Sequence, residues 1–217
     1  MRKFAYWMMT GLMLVAMSGC GTQGTTSDVT EVTTQNQDTV TEENNDNGEN
    51  EQDGADISQS ITDGVSLLTS VWATYEESEK FAVAGGDFSE ENQNMEGPGK
   101  YGLADAEAVD ASLGFPAAEI GKVDDAASLT HMMNANSFTC AAFHVTDAGE
   151  LDALVTAVKD NILNRQWMCG CPDKVVVITV DDYIVSMFGL NENVDVFVSK
   201  LQTVYPSAKV LFDVPVQ

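Results

Sequence analysis

Residues 174–190, KVVVITVDDYIVSMFGL, decide the fold of this chain. Two apolar runs, 174–180 and 183–190, are rich in the β-branched and aromatic side chains that favour strands. Asp181 and Asp182 separate the runs, and two residues is the length of a tight hairpin loop. The stretch therefore predicts two antiparallel strands joined by a short turn.

Helical and strand patterns flank this hairpin on both sides. Apolar residues recur at helical spacing in 147–166 and again in 191–205, which predicts two amphipathic helices. The apolar run 138–145 and the alternating segment 209–214 predict two further strands. The resulting order, β-α-β-β-α-β, is the split βαβ arrangement of ferredoxin-like domains.

We therefore expect an α+β fold with a ferredoxin-like antiparallel sheet in residues 136–217, in which strands 138–145 and 183–190 are central. Right-handed crossovers would place both helices on one face of this sheet. Strand 138–145 is apolar on both sides, so the opposite face also needs a cover. A helix predicted for 58–75 is the candidate, and a homodimer through that face is the alternative.

The preceding segment, 58–135, predicts helices and loops that complete a single domain at 58–217. Residues 76–100 are acidic and punctuated by glycine and proline, which is typical of an irregular loop. Short helices are predicted at 105–112 with Asp105 as the N-cap, after Pro116, and at 124–133.

The charge of the chain narrows the classes of partner. Its formal net charge is −24, and residues 58–217 carry 24 acidic and eight basic side chains, a charge of −16. Nucleic acid is excluded as a partner, because binding phosphates requires lysine and arginine. Acidity that keeps the protein soluble is the simplest interpretation, and cationic partners remain open.

The N-terminal residues predict export. Met1-Arg2-Lys3 precedes a mostly apolar stretch at 4–17 and then Ser18-Gly19-Cys20, which predicts a secretory signal peptide at 1–19. The apolar stretch is shorter than the ~20 residues that span a bilayer. Residues 21–56 hold ten carboxylates and little apolar content, so segment 20–57 is predicted to be a disordered tether.

The ending Met17-Ser18-Gly19-Cys20 resembles the lipobox of bacterial lipoproteins. The resemblance implies cleavage before Cys20 and acylation of its thiol and new amino terminus, with palmitate as a typical chain. It thus implies a lipid-anchored protein on the outer face of the cytoplasmic membrane.

The lipobox, the acidic tether and the stretch from Met132-Met133-Asn134 through residue 166 are also similar to small exported lipoproteins of anaerobic Gram-positive bacteria. These form uncharacterised domain-of-unknown-function families. The similarity supports export and the fold, and it implies no catalytic residue.

Three cysteines follow Cys20, namely Cys140, Cys169 and Cys171, so at most one disulfide can close among them. The Cys169-Gly170-Cys171 turn is a candidate redox pair or disulfide, with a Cys140-linked bridge or unpaired thiols as alternatives. These cysteines with His131 and His144 offer ligand types that suit zinc, but their spacing is unlike that of zinc fingers, so no metal site is predicted.

Two further groups of residues have open interpretations. Asp87, Glu90, Glu91 and Glu96 are candidate ligands for weak cation binding, with a solvated acidic loop as the alternative. The second set has two interpretations, either an exposed aromatic patch for a partner or an ordinary part of the core. Its members are Trp72, Tyr75, Phe81, Trp167 and Met168.

The sequence holds no serine-hydrolase elbow, phosphate-binding loop or dinucleotide fingerprint, so we expect no catalytic residue and no cofactor. The functional expectation is a non-catalytic lipoprotein that binds a protein or cell-wall component. The alternatives are a small solute- or cation-binding lipoprotein and a thiol-redox protein that uses the Cys-Gly-Cys turn.

Overall fold

A computed structural model describes residues 60–87, 89–168 and 170–216. The predicted signal peptide, Cys20, the tether at 20–57 and Cys169 lie outside the described residues, and their predictions stay predictions.

The described residues form an α+β fold with seven strands and four α-helices. The strands are β1 Val83–Ala84, β2 Gly99–Lys100, β3 Val123–His131, β4 Phe138–Val145, β5 Lys174–Val180, β6 Tyr183–Gly189 and β7 Lys209–Pro215. The helices are α1 Gly64–Trp72, α2 Ala106–Leu113, α3 Leu151–Leu163 and α4 Asn191–Val204. Short 3-10 helices are Ala117–Lys122, Ala135–Ser137 and Ala148–Glu150.

All strands belong to one antiparallel sheet with the order β1-β3-β4-β6-β5-β7, and β2 also pairs with β3. The two short strands share the outer edge of β3, where Val83 pairs with His131 and Gly99 with Ser128. The β5–β6 hairpin turns at Asp181 and Asp182 as predicted. Asp181 adopts a φ of 50°, a left-handed conformation that aspartate tolerates in turns.

Most of the predicted elements are confirmed with small changes at their ends. The four strands of the β-α-β-β-α-β pattern and both of its helices are present in the predicted order. Helix α2 begins after Asp105, whose carboxylate accepts the Ala108 amide at 3.0 Å. Helix α1 begins later than predicted because Asp63 and Ser66 form a capping box at its first turn, and it ends at Trp72 rather than at Tyr75.

The prediction of a helix at 124–133 is wrong, because these residues lie almost entirely in strand β3. Ala126, Ala127, Ser128 and Leu129 are all buried, so consecutive side chains are packed on alternating faces of the sheet. The alternation was hidden by small residues that suit a helix equally well.

The ferredoxin-like strand order is not confirmed. In that order β7 would lie beside β4, but β3 occupies that place and β7 pairs with the far side of β5. Strands β4 and β6 are internal and adjacent as expected, and β5 is internal as well.

The expectation that both crossover helices share one face is also wrong. Helices α1 and α4 pack on one face of the sheet, and α2 and α3 pack on the other. The crossovers β4-α3-β5 and β6-α4-β7 both step two places in the same direction, but they start from antiparallel strands. Two such crossovers of the same hand must place their helices on opposite faces.

Each face has its own apolar core between sheet and helices. Phe138, Cys140 and Phe197 belong to the α1–α4 core, whereas Phe115, Phe143 and Val158 belong to the α2–α3 core. Helix α1 thus covers a sheet face as predicted, although it shares that face with α4. Among the described residues, no helix combines the length and the apolar character that crossing a membrane requires.

Candidate binding cavity

A cavity of about 440 Å³ opens at one end of the sheet, near the connection from β3 to β4. Ser128 and Thr130 of β3 and Phe188 of β6 line it from the sheet. Leu113 of α2 and Arg165, just beyond α3, line a second side, and residues 84–87 line a third. Volumes of this size are typical of small-ligand sites.

Exposed methionines surround the cavity and form what we call the methionine rim. Met95, Met132 and Met133 line the cavity with exposures of 49%, 43% and 80%. The backbone of Met168 adjoins the rim, because its carbonyl accepts a 2.9 Å hydrogen bond from Asn136, which lines the cavity, and its side chain is 79% exposed. Of the six exposed large apolar side chains in the described residues, three form this rim and a fourth belongs to Met168.

Close backbone packing of glycines builds one wall of the cavity. A Cβ on Gly85 would lie 2.3 Å from the Gly99 nitrogen and 2.5 Å from the Ser128 carbonyl oxygen. Gly86 has a φ of 84° and donates its N–H to the Ser128 hydroxyl at 3.0 Å. Glycine is required here because the two segments of the loop touch backbone to backbone.

Asp87 organises the same wall. Its Oδ1 accepts hydrogen bonds from the amide and hydroxyl of Ser89, and its Oδ2 accepts from Asn92 at 2.8 Å and the Gly102 amide at 2.9 Å. These donors, the Ser89 hydroxyl above all, lower the pKa of the Asp87 carboxyl to about 2. The carboxylate is thus an ionised acceptor that four donors already occupy.

Arg165 brings a positive charge to the opposite side. Its guanidinium lies 5.2 Å from the Trp167 ring centre and 5.3 Å from the Phe188 ring centre, and its Nη2 donates to the Ala111 carbonyl at the end of α2. The buried Nη1 atom of Arg165 has no hydrogen-bond partner among the described residues. The buried Nε1 atom of Trp167 has none either. Burial lowers the pKa of the Arg165 guanidinium, and the charge of Asp110 opposes this shift.

His131 also lines the cavity, but one of its nitrogens is engaged. Its Nδ1 accepts the amides of Met133 at 3.2 Å and Asn134 at 3.3 Å, and its ring stacks on Phe81 with 5.3 Å between centres. A neutral His131 therefore carries its proton on Nε2. The imidazole shapes the turn that presents Met132 and Met133.

The predicted cation ligands lie along the acidic loop but do not converge on one point. Glu90, Glu91 and Glu96 are exposed, and Asp87 is occupied as described. In the part of the chain that the structure describes, no three His, Cys, Asp or Glu side chains come together as a metal site would require. The acidic loop therefore contributes charge beside the cavity.

The described cysteines lie in different environments. Cys140 is a free thiol fully buried in the α1–α4 core, and this burial raises its pKa. Cys171 is free and exposed, in a turn held by a 2.8 Å hydrogen bond from Asn136 to the Gly170 carbonyl. Gly170 thus adjoins the cavity through Asn136, and the pairing of Cys169 stays a prediction.

The opposite end of the sheet is here called the capped end, and it gathers Asp124, Asp125, His144 and Tyr183. Asp125 Oδ2 accepts the Gly64 amide of α1 at 2.7 Å and the Tyr183 hydroxyl at 3.4 Å. His144 Nδ1 lies 2.6 Å from Asp124 Oδ1, so this imidazole pairs with a carboxylate. Burial, with the charge of Asp125, raises the pKa of Tyr183.

Sequence reasoning did not find the cavity, because its walls come from segments distant in the chain. Two signals were present: the adjacent pair Met132-Met133 in a turn, and the glycines at 85–86 and 97–99. Of the proposed aromatic patch, Trp72 and Tyr75 belong to the core, whereas the Met168 side chain is exposed.

Comparison with protein-family models, with curated proteins and with solved structures gave no match to this chain.

Proposed function

We propose that this chain is an exported, lipid-anchored and non-catalytic binding protein that takes its ligand in the cavity at the end of its sheet. Residues 1–19 would direct export, Cys20 would carry the lipid, and the acidic tether would separate the domain from the membrane. The domain would act outside the cytoplasmic membrane.

The observation that carries the binding role is the methionine rim. Exposed methionines offer flexible and polarisable apolar surface, which adapts to the shape of a ligand. Their concentration around a single cavity, in a domain whose other large apolar side chains are mostly buried, favours a ligand-contacting surface.

The titratable groups of the cavity favour binding over catalysis. Asp87 is occupied by four donors, and Nδ1 of His131 accepts two backbone amides. A general base needs a free lone pair directed at its substrate, and these two groups use theirs to hold the loop and the turn. Their role in this proposal is to keep the cavity walls in place.

A matched pair of variants tests the use of the cavity. Ala135 is exposed and lines the cavity, whereas Ala153 is exposed on α3 away from it, so Ala135→Trp fills the opening and Ala153→Trp is its control. The purified full chain is screened by thermal unfolding against defined amino acids, short peptides, sugars and nucleosides. A true cavity ligand raises the Tm of wild type and of Ala153→Trp but not that of Ala135→Trp. No ligand effect on the wild type, or equal effects on both variants, contradicts the proposal.

The anchor is tested separately by labelling cells with an alkyne analogue of palmitate. The full chain is expected to incorporate the label and fractionate with membranes, and Cys20→Ala is expected to lose both properties. Label retained in Cys20→Ala contradicts lipidation at this residue.

A further inference from the structure

Among the lysines and arginines of the described residues, Arg165 is the one that lines the cavity, and it forms no ion pair. Residues 58–217 contain seven lysines, and five of them form ion pairs: Lys80, Lys122, Lys159, Lys174 and Lys200. Arg165 is the one arginine in this range, and no carboxylate of the described residues lies within 4.0 Å of it. Asp110 acts on this guanidinium only from beyond ion-pair distance, so Arg165 is a half-buried cation without an ion pair in a domain with 24 acidic residues.

Two buried donors lie together without acceptors at this place. Arg165 Nη1 and Trp167 Nε1 have no hydrogen-bond partner among the described residues, and their groups are stacked within 5.2 Å. Buried donors are normally paired, because losing water without gaining an acceptor is costly. Arg165 lines the cavity and Trp167 does not, so the guanidinium is the one of these two groups that a ligand with acceptor oxygens can approach from the cavity.

A carboxylate fits this position best among acceptor groups. The guanidinium presents a planar set of N–H groups that matches two carboxylate oxygens. The rings of Trp167 and Phe188 hold the guanidinium beside the cavity, so its orientation is fixed before the ligand arrives.

The rest of the surroundings determines what the carboxylate is attached to. The methionine rim provides apolar contact, and the loop that holds Asp87, Glu90 and Glu91 places negative charge beside the same opening. A simple anion would be repelled by a domain with a charge of −16. A ligand that also carries an ammonium group would be attracted to the loop while its carboxylate reaches Arg165.

We propose that the cavity binds short apolar peptides by their free C-terminal carboxylate, which pairs with Arg165, while their side chains contact the methionine rim. This inference rests on the binding role proposed above and names the ligand class of that site.

Equilibrium dialysis of the purified full chain tests it. The probe is a mixture of tripeptides built from Ala, Val, Leu, Met and Phe, supplied as free acids and as the matching C-terminal amides. Bound peptides are quantified by mass spectrometry. We expect the wild type to bind free acids at least about tenfold more tightly than their amides, the scale of one charge-assisted pair. Arg165→Gln should lose this preference.

Lys209→Gln is the control, because it removes the same charge from an exposed residue of β7 outside the cavity. It should keep the preference of the wild type. Arg165→Lys retains the charge without the planar fork, so it should bind free acids more weakly than the wild type yet still prefer them to amides. Thermal unfolding of each variant verifies that it is folded. If Arg165→Gln does not fold, the comparison of Arg165→Lys with the wild type keeps the test decisive.

The outcomes separate this inference from the proposed function. Equal binding of acids and amides by the wild type, with loss of both in Ala135→Trp, overturns the role of Arg165 but leaves a binding cavity. Octanoate bound as tightly as the tripeptide acids would overturn the assignment to peptides. No tripeptide bound by the wild type overturns the inference, while another ligand that stabilises the wild type but not Ala135→Trp would still support the proposed function.

Discussion

The two ends of the sheet use polar side chains in opposite ways. At the capped end, Asp125 accepts hydrogen bonds from α1 and from Tyr183, and His144 pairs with Asp124. At the cavity end, Arg165 and Trp167 keep buried donors without acceptors, and the rim exposes three methionines. The same sheet thus has one end whose polar groups are paired and one end where pairing is incomplete.

The difference indicates which end serves stability and which serves binding. A paired polar group contributes to the folded state, and removing one partner leaves the other at a cost. A buried donor without an acceptor instead lowers the stability of the folded state until an acceptor is supplied. Substitutions of the paired groups at the capped end should therefore reduce stability, and substitutions of Arg165 and of the methionine rim should mainly change binding.

The largest expected effect is on the capped end, from Asp125→Ala. This change leaves the Gly64 amide and the Tyr183 hydroxyl without their shared acceptor. We expect a loss of about 2–3 kcal/mol in the free energy of unfolding, since hydrogen bonds to charged groups are the stronger ones. Urea denaturation measures this loss of stability, and ligand binding should stay unchanged.

Asp124→Ala is the matched control for that prediction. Its carboxylate is exposed and contacts a half-buried His144, so its removal should cost less than about 1 kcal/mol. Equal losses for the two variants would show that Asp125 does not cap α1 as described.

An intermediate effect is expected at the wall of the cavity, from Gly85→Ala. The new methyl group would overlap the backbone of Gly99 and Ser128, at 2.3 and 2.5 Å from the nearest atoms. We expect a loss of about 2 kcal/mol, as for other overpacked sites, together with weaker peptide binding. Gly121→Ala is the control, because nothing lies within 4 Å of its Cβ position. An unchanged Tm and affinity in Gly85→Ala would contradict the packed wall.

The smallest effect is a pH dependence that belongs to Asp87. The folded pKa of about 2 is below the ordinary value of 3.8, so the folded state holds this proton less tightly than the unfolded state. The contribution of the Asp87 carboxylate to the free energy of unfolding is present above about pH 4 and is lost as the pH falls toward about 2. Because the carboxyl lies near the surface, we expect it to remain below about 1 kcal/mol.

Urea denaturation of wild type and Asp87→Asn between pH 5 and about pH 2 checks this. The difference between the two proteins should shrink as the pH falls. Glu90→Gln, at an exposed carboxyl of the same loop, should show no such convergence. A constant difference across the range would exclude Asp87 as the source.

The elements with strong local patterns could be predicted from the sequence. The runs 174–180 and 183–190 are too rich in β-branched and aromatic residues for a helix, and Asp181-Asp182 sets the hairpin. Strand β3 was missed because Ala126, Ala127 and Ser128 are small and carry little periodic signal. Once β3 pairs with β4, strand β7 must find another edge, so the error in one element changed the predicted topology.

The cavity could not be predicted for a related reason. It depends on Gly85 lying against Gly99 and on Arg165 lying beside Phe188, and these contacts follow from the assembled sheet. The sequence singled out the acidic loop and the Cys-Gly-Cys turn, and Asp87 of the loop and Gly170 of the turn adjoin the cavity. The local sequence thus identified segments that lie beside the cavity, and only the tertiary arrangement identified Arg165.

The methionine rim has a consequence for chemical durability. Surface thioethers oxidise to sulfoxides, which are polar and chiral, while Met187 is fully buried between β4 and β5 and is shielded from oxidants. Mild oxidant would therefore turn the apolar margin of the cavity polar without disturbing the packing beneath it. The same residues that make this surface adaptable also tie its affinity to the oxidising strength of its environment.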